Sequence, residues 1–147
     1  MASLYPDYIP PHAAHPTRED FAVVQHPQIG TVVACRRAFR KGEVLARFDG
    51  VTIGYVTQHS LRKSEGVHLL DRYFLGLLSH SCDPNVTVDM ERQLVTALKP
   101  LEAGTVLMMD YCSTEAFLFT AFDCACQAPG CRGRIVGRQE SLAPAAG

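Results

Sequence analysis

Short runs of apolar and β-branched residues, separated by turn-forming segments, dominate the chain from Phe21 onward. The runs FAVVQ, GTVVACR and EVLARF are broken by HPQIG and FRKGE, and this pattern predicts short strands. Further along, NVTVDMERQLVTAL predicts a hairpin that turns at DMER, and TVLMMDY predicts another buried strand.

Three segments depart from this strand pattern. Residues 1–20 are rich in Pro, His and Ala without a period, which predicts an extended or disordered arm. The segment VTQHSLRKSEG predicts a short helix that Gly66 ends. Residues 139–147 predict a flexible terminus.

The chain also contains a faint internal repeat. RAFRKGEVL (37–45) and KPLEAGTVL (99–107) share a basic residue, an apolar residue, a turn glycine and a final Val-Leu. Two such turn-and-strand units indicate a pseudo-symmetric β architecture of short sheets, although similar turns are common enough to arise by chance.

Composition narrows the class of protein. The 147 residues favour one compact domain, and 14 basic against 15 acidic side chains leave no broad basic field. Direct nucleic-acid binding through phosphate contacts is therefore not expected. No apolar run is long enough to cross a membrane and no secretory pattern occurs, which predicts a soluble intracellular protein, cytoplasmic or (in a eukaryote) nuclear, without a membrane partner.

Cysteine spacing points to a metal site. Cys124, Cys126 and Cys131 lie within eight residues, whereas the other three cysteines are scattered. A structural zinc takes four ligands, so this cluster needs a fourth from elsewhere in the chain. Without a secretory pattern, zinc is favoured over a disulfide framework.

A second polar segment, LLSHSCDPN, gathers His80, Cys82, Asp83 and Asn85 within six positions. These residue types are common in turns, where they bond to nearby backbone groups. Cys82 beside His80 could also form a thiol nucleophile, but nothing in the sequence marks an oxyanion hole or a third orienting group.

Three motifs together resemble the SET-domain methyltransferases. SHSCDPN resembles that family's Asn-His-Ser-Cys-x-Pro-Asn loop, LEAGTVLMMDY its strand ending in Asp-Tyr, and CACQAPGCRG its cysteine-rich post-SET tail. The resemblance covers roughly residues 21–137 and implies a mainly β fold. This is the SET-domain β-clip, with several short sheets, a pseudoknot-like crossing, one or two short helices and a zinc-bound tail. The implied division is an arm (1–20), a SET domain (21–122), a post-SET tail (123–138) and the terminus 139–147.

The resemblance also implies the site residues. Tyr111 is the expected catalytic residue, and Asn85 is expected to stabilise the crossing. Cys82 is the expected fourth zinc ligand beside Cys124, Cys126 and Cys131. The residues expected to bind S-adenosylmethionine are Gly30, Thr31, Val32, Ser79, His80, Tyr111 and Phe122.

The reaction that the resemblance implies is methyl transfer to an amine of a lysine-containing protein or peptide, or of a small amine substrate. A free lysine has a pKa of ~10.4 and must lose its proton before it attacks. An apolar channel beside a positive sulfonium lowers this pKa and so favours the loss of the proton. Tyr73, Phe117, Phe119 and Phe122 are candidates for the channel or the cofactor site, with plain packing favoured for Phe117 and Phe119. The short segment between the motifs leaves little surface to bind a long peptide. The protein could therefore act on a small lysine-containing substrate, recruit a partner, or form a homodimer that completes the groove.

The sequence departs from the family pattern at three positions, of which Val32 and Ser79 favour a non-catalytic function. Ser79 replaces an Asn, Val32 replaces the second Gly of a Gly-x-Gly motif, and Gly76 replaces an Arg. A SET domain with a degraded cofactor pocket would act as a protein-interaction module. If the resemblance is set aside, the chain is a small zinc-stabilised β domain.

Overall fold

The structure is a computed structural model that describes residues 2–116, 118–124, 126 and 128–137. This part of the chain contains two single-turn 3-10 helices, Leu75–Leu77 and Tyr111–Ser113, and no helix long and apolar enough to cross a membrane. Its strands are β1 Phe21–His26, β2 Gly30–Cys35, β3 Val44–Arg47, β4 Val51–Ile53, β5 Ser60–Ser64, β6 Val67–Leu70, β7 Ser79–His80, β8 Val86–Asp89, β9 Leu94–Ala97, β10 Met108–Met109, β11 Phe122–Asp123 and β12 Arg134–Ile135. The predicted flexible terminus, 139–147, lies outside the described residues.

The described strands form five small sheets, ordered β1-β2, β3-β9-β8, β4-β6-β5, β7-β10 and β11-β12. Each pair is antiparallel except β7 with β10, which is parallel. The prediction of a mainly β fold built from several short sheets is confirmed. The predicted hairpin is also confirmed, as β8 and β9.

The predicted helix in VTQHSLRKSEG is wrong, because Ser60–Ser64 forms β5 and pairs with β6. Gly66, expected to end the helix, has a φ of 70° and lies in the turn between these two strands. Glycine adopts such a φ without a steric penalty. Ser60 and Leu61 are buried in the hairpin, and this burial outweighs the helical preference that the local sequence pattern indicated.

The sequence repeat corresponds to an approximate two-fold relation between two units. Phe39 and Leu101, at equivalent positions, exchange both backbone hydrogen bonds at 2.9 Å. The turn glycines behave alike: Gly42 donates to β9 at 2.8 Å, and Gly104 donates to β2 at 2.7 Å. Each unit therefore supplies hydrogen-bond partners for the other, which accounts for the recurrence of the pattern.

A crossing of chain segments places β10 beside β7. The backbone N–H of Asn85 donates to Met108 O at 3.0 Å, and its side-chain Oδ1 accepts from Met108 N at 2.8 Å. Its Nδ2 donates to Val106 O at 2.9 Å. Asn85 thus extends the pairing of the segment 106–108, as expected of the residue that stabilises the crossing.

Residues 2–20 contain no helix or strand, only an isolated bridge between Ser3 and Thr17, but they contribute to the core. Tyr5 and Ile9 are buried within the main hydrophobic cluster. The Tyr5 hydroxyl donates to the buried carboxylate of Asp71 at 2.6 Å and accepts the backbone N–H of Asp49 at 2.8 Å. Asp71 also accepts three backbone N–H groups from residues 73–75. The domain boundary at residue 21 stays a prediction, but the arm packs on the fold beyond it.

Gly76, in the 3-10 helix that follows Asp71, occupies a position without space for a side chain. A Cβ there would overlap the carbonyl oxygens of Asp71 and His59. The Gly76 N–H donates to Asp71 O at 2.9 Å, so the backbone is held in this close approach. The arginine that the family pattern has at this position would not fit here, because the backbone carbonyls of Asp71 and His59 occupy the space where its side chain would begin.

We expect Gly76→Ala to lower the free energy of unfolding by about 1–3 kcal/mol, the usual cost of forcing a group into a filled site. Gly54→Ala is the matched control, because Gly54 has no positive φ and a Cβ there would lie 3.9 Å from its nearest neighbour. Urea unfolding of both variants measures the difference. Equal stabilities would contradict the close packing at Gly76.

Candidate functional site

Three rings from distant parts of the sequence meet at the second 3-10 helix. His80 ends β7, Tyr111 begins the helix and Phe122 begins β11. The ring centroids lie 5.1 Å apart for His80–Tyr111, 5.5 Å for His80–Phe122 and 5.9 Å for Tyr111–Phe122. The structure therefore brings together the predicted catalytic residue and two of the predicted cofactor-binding residues.

His80 is held in one tautomer by its neighbours. The backbone N–H of Tyr111 donates to His80 Nδ1 at 3.0 Å, so this nitrogen carries no proton. Burial lowers the pKa of His80, which favours the neutral ring with its proton on Nε2. Nε2 lies 3.6 Å from Cys82 Sγ. The imidazole thus connects the backbone at Tyr111 with a cysteine sulfur.

Tyr111 points its hydroxyl at the backbone. The O–H donates to Leu78 O at 2.7 Å, and burial raises the pKa of the phenol to about 12. The phenol is therefore protonated at neutral pH, and its hydrogen is engaged with Leu78. The lone pairs of Oη are left to accept a hydrogen bond, which suits orienting an N–H group.

A cavity of about 410 Å³ lies beside Tyr111 and Phe122. Its wall includes apolar side chains from β5 and from the segments around both 3-10 helices. Phe119 is 61% exposed and lines the cavity, so the expectation of plain packing for this residue is wrong. Tyr73 does not line it and instead shares a hydroxyl contact of 3.0 Å with Tyr8. Phe117 lies outside the described residues.

The other predicted cofactor-binding residues are not among the residues that line this cavity. Ser79 is buried in β7, and Gly30–Val32 begin β2. Val32 is fully buried but lies outside the main core cluster, to which Val33 belongs. Adjacent strand residues face opposite sides, so Val32 is enclosed on the other face of β2. The cofactor role of these residues stays a prediction.

Four cysteine sulfurs converge at the end of the described chain. The Sγ atoms of Cys82, Cys124, Cys126 and Cys131 all lie within 4.8 Å of one another. Cys82 and Cys124 are 3.9 Å apart. Tetrahedral thiolates with metal–sulfur bonds near 2.3 Å would lie ~3.8 Å from each other, so the donor set fits a tetrahedral metal ion.

The surrounding backbone is suited to thiolates. The N–H of Cys126 points at Cys124 Sγ and the N–H of Arg132 at Cys82 Sγ, both at 3.4 Å. The backbone N–H of Ala128 lowers the pKa of Cys126 to about 6, while burial raises that of Cys124 to about 12. Donors of this kind stabilise metal-bound sulfur and orient the ligands.

Three charged residues near the site were not identified from the sequence. Arg132 Nη2 donates to Asp110 Oδ1 at 2.8 Å, and the same oxygen accepts the N–H of Cys112 at 3.0 Å. Asp110 and Arg132 belong to the Asp-Tyr and post-SET motifs, so a signal for them was present. Glu115, which lines the cavity, has no such motif around it.

Comparisons with solved structures identify the fold. The chain is similar to KRYPTONITE in complex with mCHG DNA and SAH, with a TM-score of 0.64 and 20% identity over 78% of this chain and 28% of that one. The chain is also similar to the methyltransferase domain of human histone-lysine N-methyltransferase SETMAR, with a TM-score of 0.60 and 16% identity over 77% of this chain and 56% of that one. The chain has the SET-domain fold. A second KRYPTONITE structure, in complex with mCHH DNA, H3(1-15) peptide and SAH, has a TM-score of 0.62 and 20% identity over 78% of this chain and 29% of that one.

Sequence comparison gives a further relative of the chain. Methyltransferase flvH of Aspergillus flavus is 31% identical over 86 residues, which are 57% of this chain and 48% of that protein. The chain thus aligns with about half of the length of this relative. No protein-family model matches the chain. The KRYPTONITE structures contain DNA, so the prediction of no direct nucleic-acid partner is not borne out. No comparison supports a homodimer.

We expect Tyr111→Phe to lower the free energy of unfolding by ~1 kcal/mol at neutral pH, because Leu78 O loses its donor. The folded-state pKa of about 12 lies above the ordinary value of 10.0. The stabilising contribution is therefore complete below pH 10 and is lost as pH rises through about 12. Urea unfolding of both proteins between pH 7 and 10.5 measures this difference. A difference that does not decline as pH rises from 9.5 to 10.5 would contradict the raised pKa.

Proposed function

We propose that the chain is an S-adenosylmethionine-dependent methyltransferase of SET type that methylates an amine nitrogen. The acceptor is the side chain of a lysine in a protein or peptide, or a small amine. The observation that carries this proposal is the convergence of Tyr111, His80 and Phe122 beside an apolar cavity. The comparisons support it through proteins that are named methyltransferases or contain SAH.

The proposed cofactor, S-adenosylmethionine, would supply an electrophilic methyl group on a sulfonium. Ser79, His80, Phe122 and the beginning of β2, Gly30–Val32, would hold it. The residues suit this use in two respects: a Cβ at Gly30 would meet no atom within 4 Å, and the Phe122 ring is already fixed against His80. Tyr111 and Leu78 both line the cavity and are joined by the bond from the Tyr111 hydroxyl to Leu78 O, and a polarised methyl or an amine needs oxygen acceptors of this kind.

Tyr111 is proposed to orient the acceptor amine. Its hydroxyl hydrogen is engaged with Leu78 O, so Oη can accept an N–H from the incoming nitrogen. Because burial keeps the phenol protonated, the residue positions the nucleophile and does not remove its proton. Apolar walls disfavour the ammonium form, which assists deprotonation before attack.

The four cysteines are proposed to bind one structural zinc ion. Four thiolates close the coordination sphere and leave no position for a reactive water, so the metal has an architectural role. Cys82 belongs to the SET core and the other three to the tail. The metal would therefore fix Phe122 and the tail against His80, and metal binding would contribute to folding.

Calorimetric titration of S-adenosylmethionine and its demethylated product into zinc-replete protein tests the proposed activity. We expect one-to-one binding that Tyr111→Phe preserves. Transfer of labelled methyl to an H3(1–15) peptide or to free lysine should fall on the order of 100-fold in this variant, because the amine loses its orienting acceptor. No cofactor binding at millimolar concentration would instead favour a protein-interaction module.

Cys82→Ser tests the zinc site, with Cys112→Ser as the matched control. Cys112 lies close by but donates to Val136 O at 3.1 Å and is not one of the four converging cysteines. We expect Cys82→Ser to lose bound zinc and to lower the melting temperature, while Cys112→Ser retains about one zinc per chain. Equal zinc content, measured by elemental analysis, would contradict the four-cysteine site.

A further inference from the structure

The strand β1 has one edge that no other described strand covers. In the described part of the chain β1 pairs only with β2, along its whole length and without a bulge. Just before this pairing, the N–H of Arg36 donates to Asp20 O at 2.7 Å, which fixes the alternation of the hydrogen bonds. Every second residue from Asp20 therefore bonds to the β2 side, and the N–H and C=O groups of Val23 and Gln25 point away from it.

This edge lacks the features by which proteins protect exposed strands. The sequence of β1, FAVVQH, contains no proline and none of Asp, Glu, Lys or Arg, and Val23 and Val24 are 43% and 42% exposed. A regular apolar edge strand associates with a further strand unless charges, prolines or bulges prevent it. The strand β1 is therefore suited to pair with an extended peptide.

A second cavity, of about 430 Å³, lies at this edge. Its wall includes three successive residues of β1, Phe21, Ala22 and Val23, whose side chains alternate between the two faces of the sheet. No described residue of β2 lines the cavity, so the space is on the side of β1 that β2 leaves uncovered. The other residues of the wall are Leu4, Arg18, Arg36, Arg72, Tyr73 and Leu77.

The wall of this second cavity carries three positive charges and, among the described residues, no negative one. Its charged residues are Arg18, Arg36 and Arg72, which we call the arginine cluster. All three are exposed, and within the described part of the chain their side chains form no hydrogen bond or ion pair. A ligand that enters here meets planar guanidinium groups, which bind carboxylates through paired N–H donors.

The acidic residues next to the arginine cluster in the sequence have other partners. Asp20 accepts from Arg37 Nε at 3.1 Å, and the buried carboxylate of Asp71 accepts the Tyr5 hydroxyl at 2.6 Å. Glu19 accepts a backbone N–H of the arm at 3.5 Å. The protein therefore leaves the charge of the cluster to be balanced from outside.

An extended acidic peptide fits both the edge and the charge. Its backbone can pair with Val23 and Gln25, its carboxylates can bind the arginine cluster, and its apolar side chains can cover the exposed valines. A nucleic acid would meet the arginines but has no peptide backbone to pair with β1. A second copy of β1 would supply a backbone, but FAVVQH has no acidic side chain to offer the cluster.

We infer that the free edge of β1 and the arginine cluster form a docking site for an extended acidic segment of a partner protein, which adds a strand beside β1. The site is separate from the cavity beside Tyr111, since the two cavities share no described lining residue. Docking here therefore does not depend on methyl transfer, and its test needs neither cofactor nor acceptor.

Fluorescence anisotropy with short labelled peptides tests the site in the full chain. The acidic probe is VEVEVEV with a labelled N-terminus and an amidated C-terminus, and VKVKVKV is its charge-reversed counterpart. A third peptide is the acidic probe with N-methyl groups on its three central residues, which keeps the charges but removes the backbone donors on both edges. A single-stranded oligothymidylate serves as the polyanion without a peptide backbone.

We expect the acidic probe to bind at least about tenfold more tightly than the basic or the N-methylated peptide, because several backbone bonds or charge pairs are lost in each. Arg36→Gln combined with Arg72→Gln should weaken this binding about fivefold, whereas Arg40→Gln should not. Arg40 is the matched control, because it is exposed and outside the wall of the cavity.

The contribution of the strand edge is tested separately at Val23. Val23→Pro removes the N–H that faces away from β2 and should weaken binding of the acidic probe, whereas Val23→Ala keeps this donor and should bind nearly as well as the unchanged protein. If Val23→Pro fails to fold, the comparison of the N-methylated peptide with the acidic probe still decides whether the ligand adds as a strand.

Four results would overturn the inference. One is the absence of binding of the acidic probe at millimolar concentration, and another is equal binding of its N-methylated form. A third is tighter binding of the oligothymidylate than of the acidic probe, which would assign the arginine cluster to phosphates. The fourth is a dimer, detected by sedimentation, that Val23→Pro dissociates and the acidic probe does not, which would assign the edge to a second copy of the chain.

Discussion

Asn85 and the segment it pairs with impose the constraint on which the site depends. One backbone and two side-chain hydrogen bonds fasten Asn85 to the chain at residues 106–108, which then runs parallel to β7. Tyr111 follows directly and receives its position from this crossing, with its N–H on His80 and its hydroxyl on Leu78. Without the crossing, the two motifs that carry the proposed chemistry would not be neighbours.

His80 joins the two chemically distinct parts of the site. One ring nitrogen accepts from the Tyr111 backbone, and the other faces the sulfur of Cys82. Arg132 adds a second link, because its backbone reaches Cys82 and its side chain reaches Asp110 at the start of the Tyr111 helix. These contacts connect the position of Cys82 directly to the orientation of Tyr111.

The sequence predicted those parts of the fold that depend on local pattern or on motif order. The β8–β9 hairpin follows from alternation, and the convergence of Cys82 with the tail follows from the ordered motifs. The strand β5 was mistaken for a helix because its partner, β6, determines its conformation. Glu115 and the packing of Tyr5 on Asp71 could not be predicted, since both depend on contacts between segments far apart in the chain.

The two-fold exchange between the repeat units has a consequence for synthesis of the chain. The hydrogen bonds of Gly42 and Phe39 require β9 and Leu101. The edge of β2 remains unpaired until the segment 104–107 is present. A nascent chain that has not yet emerged to this point exposes unpaired strand edges. Such edges can associate with other chains, so the two units protect each other's strand edges only once both are present.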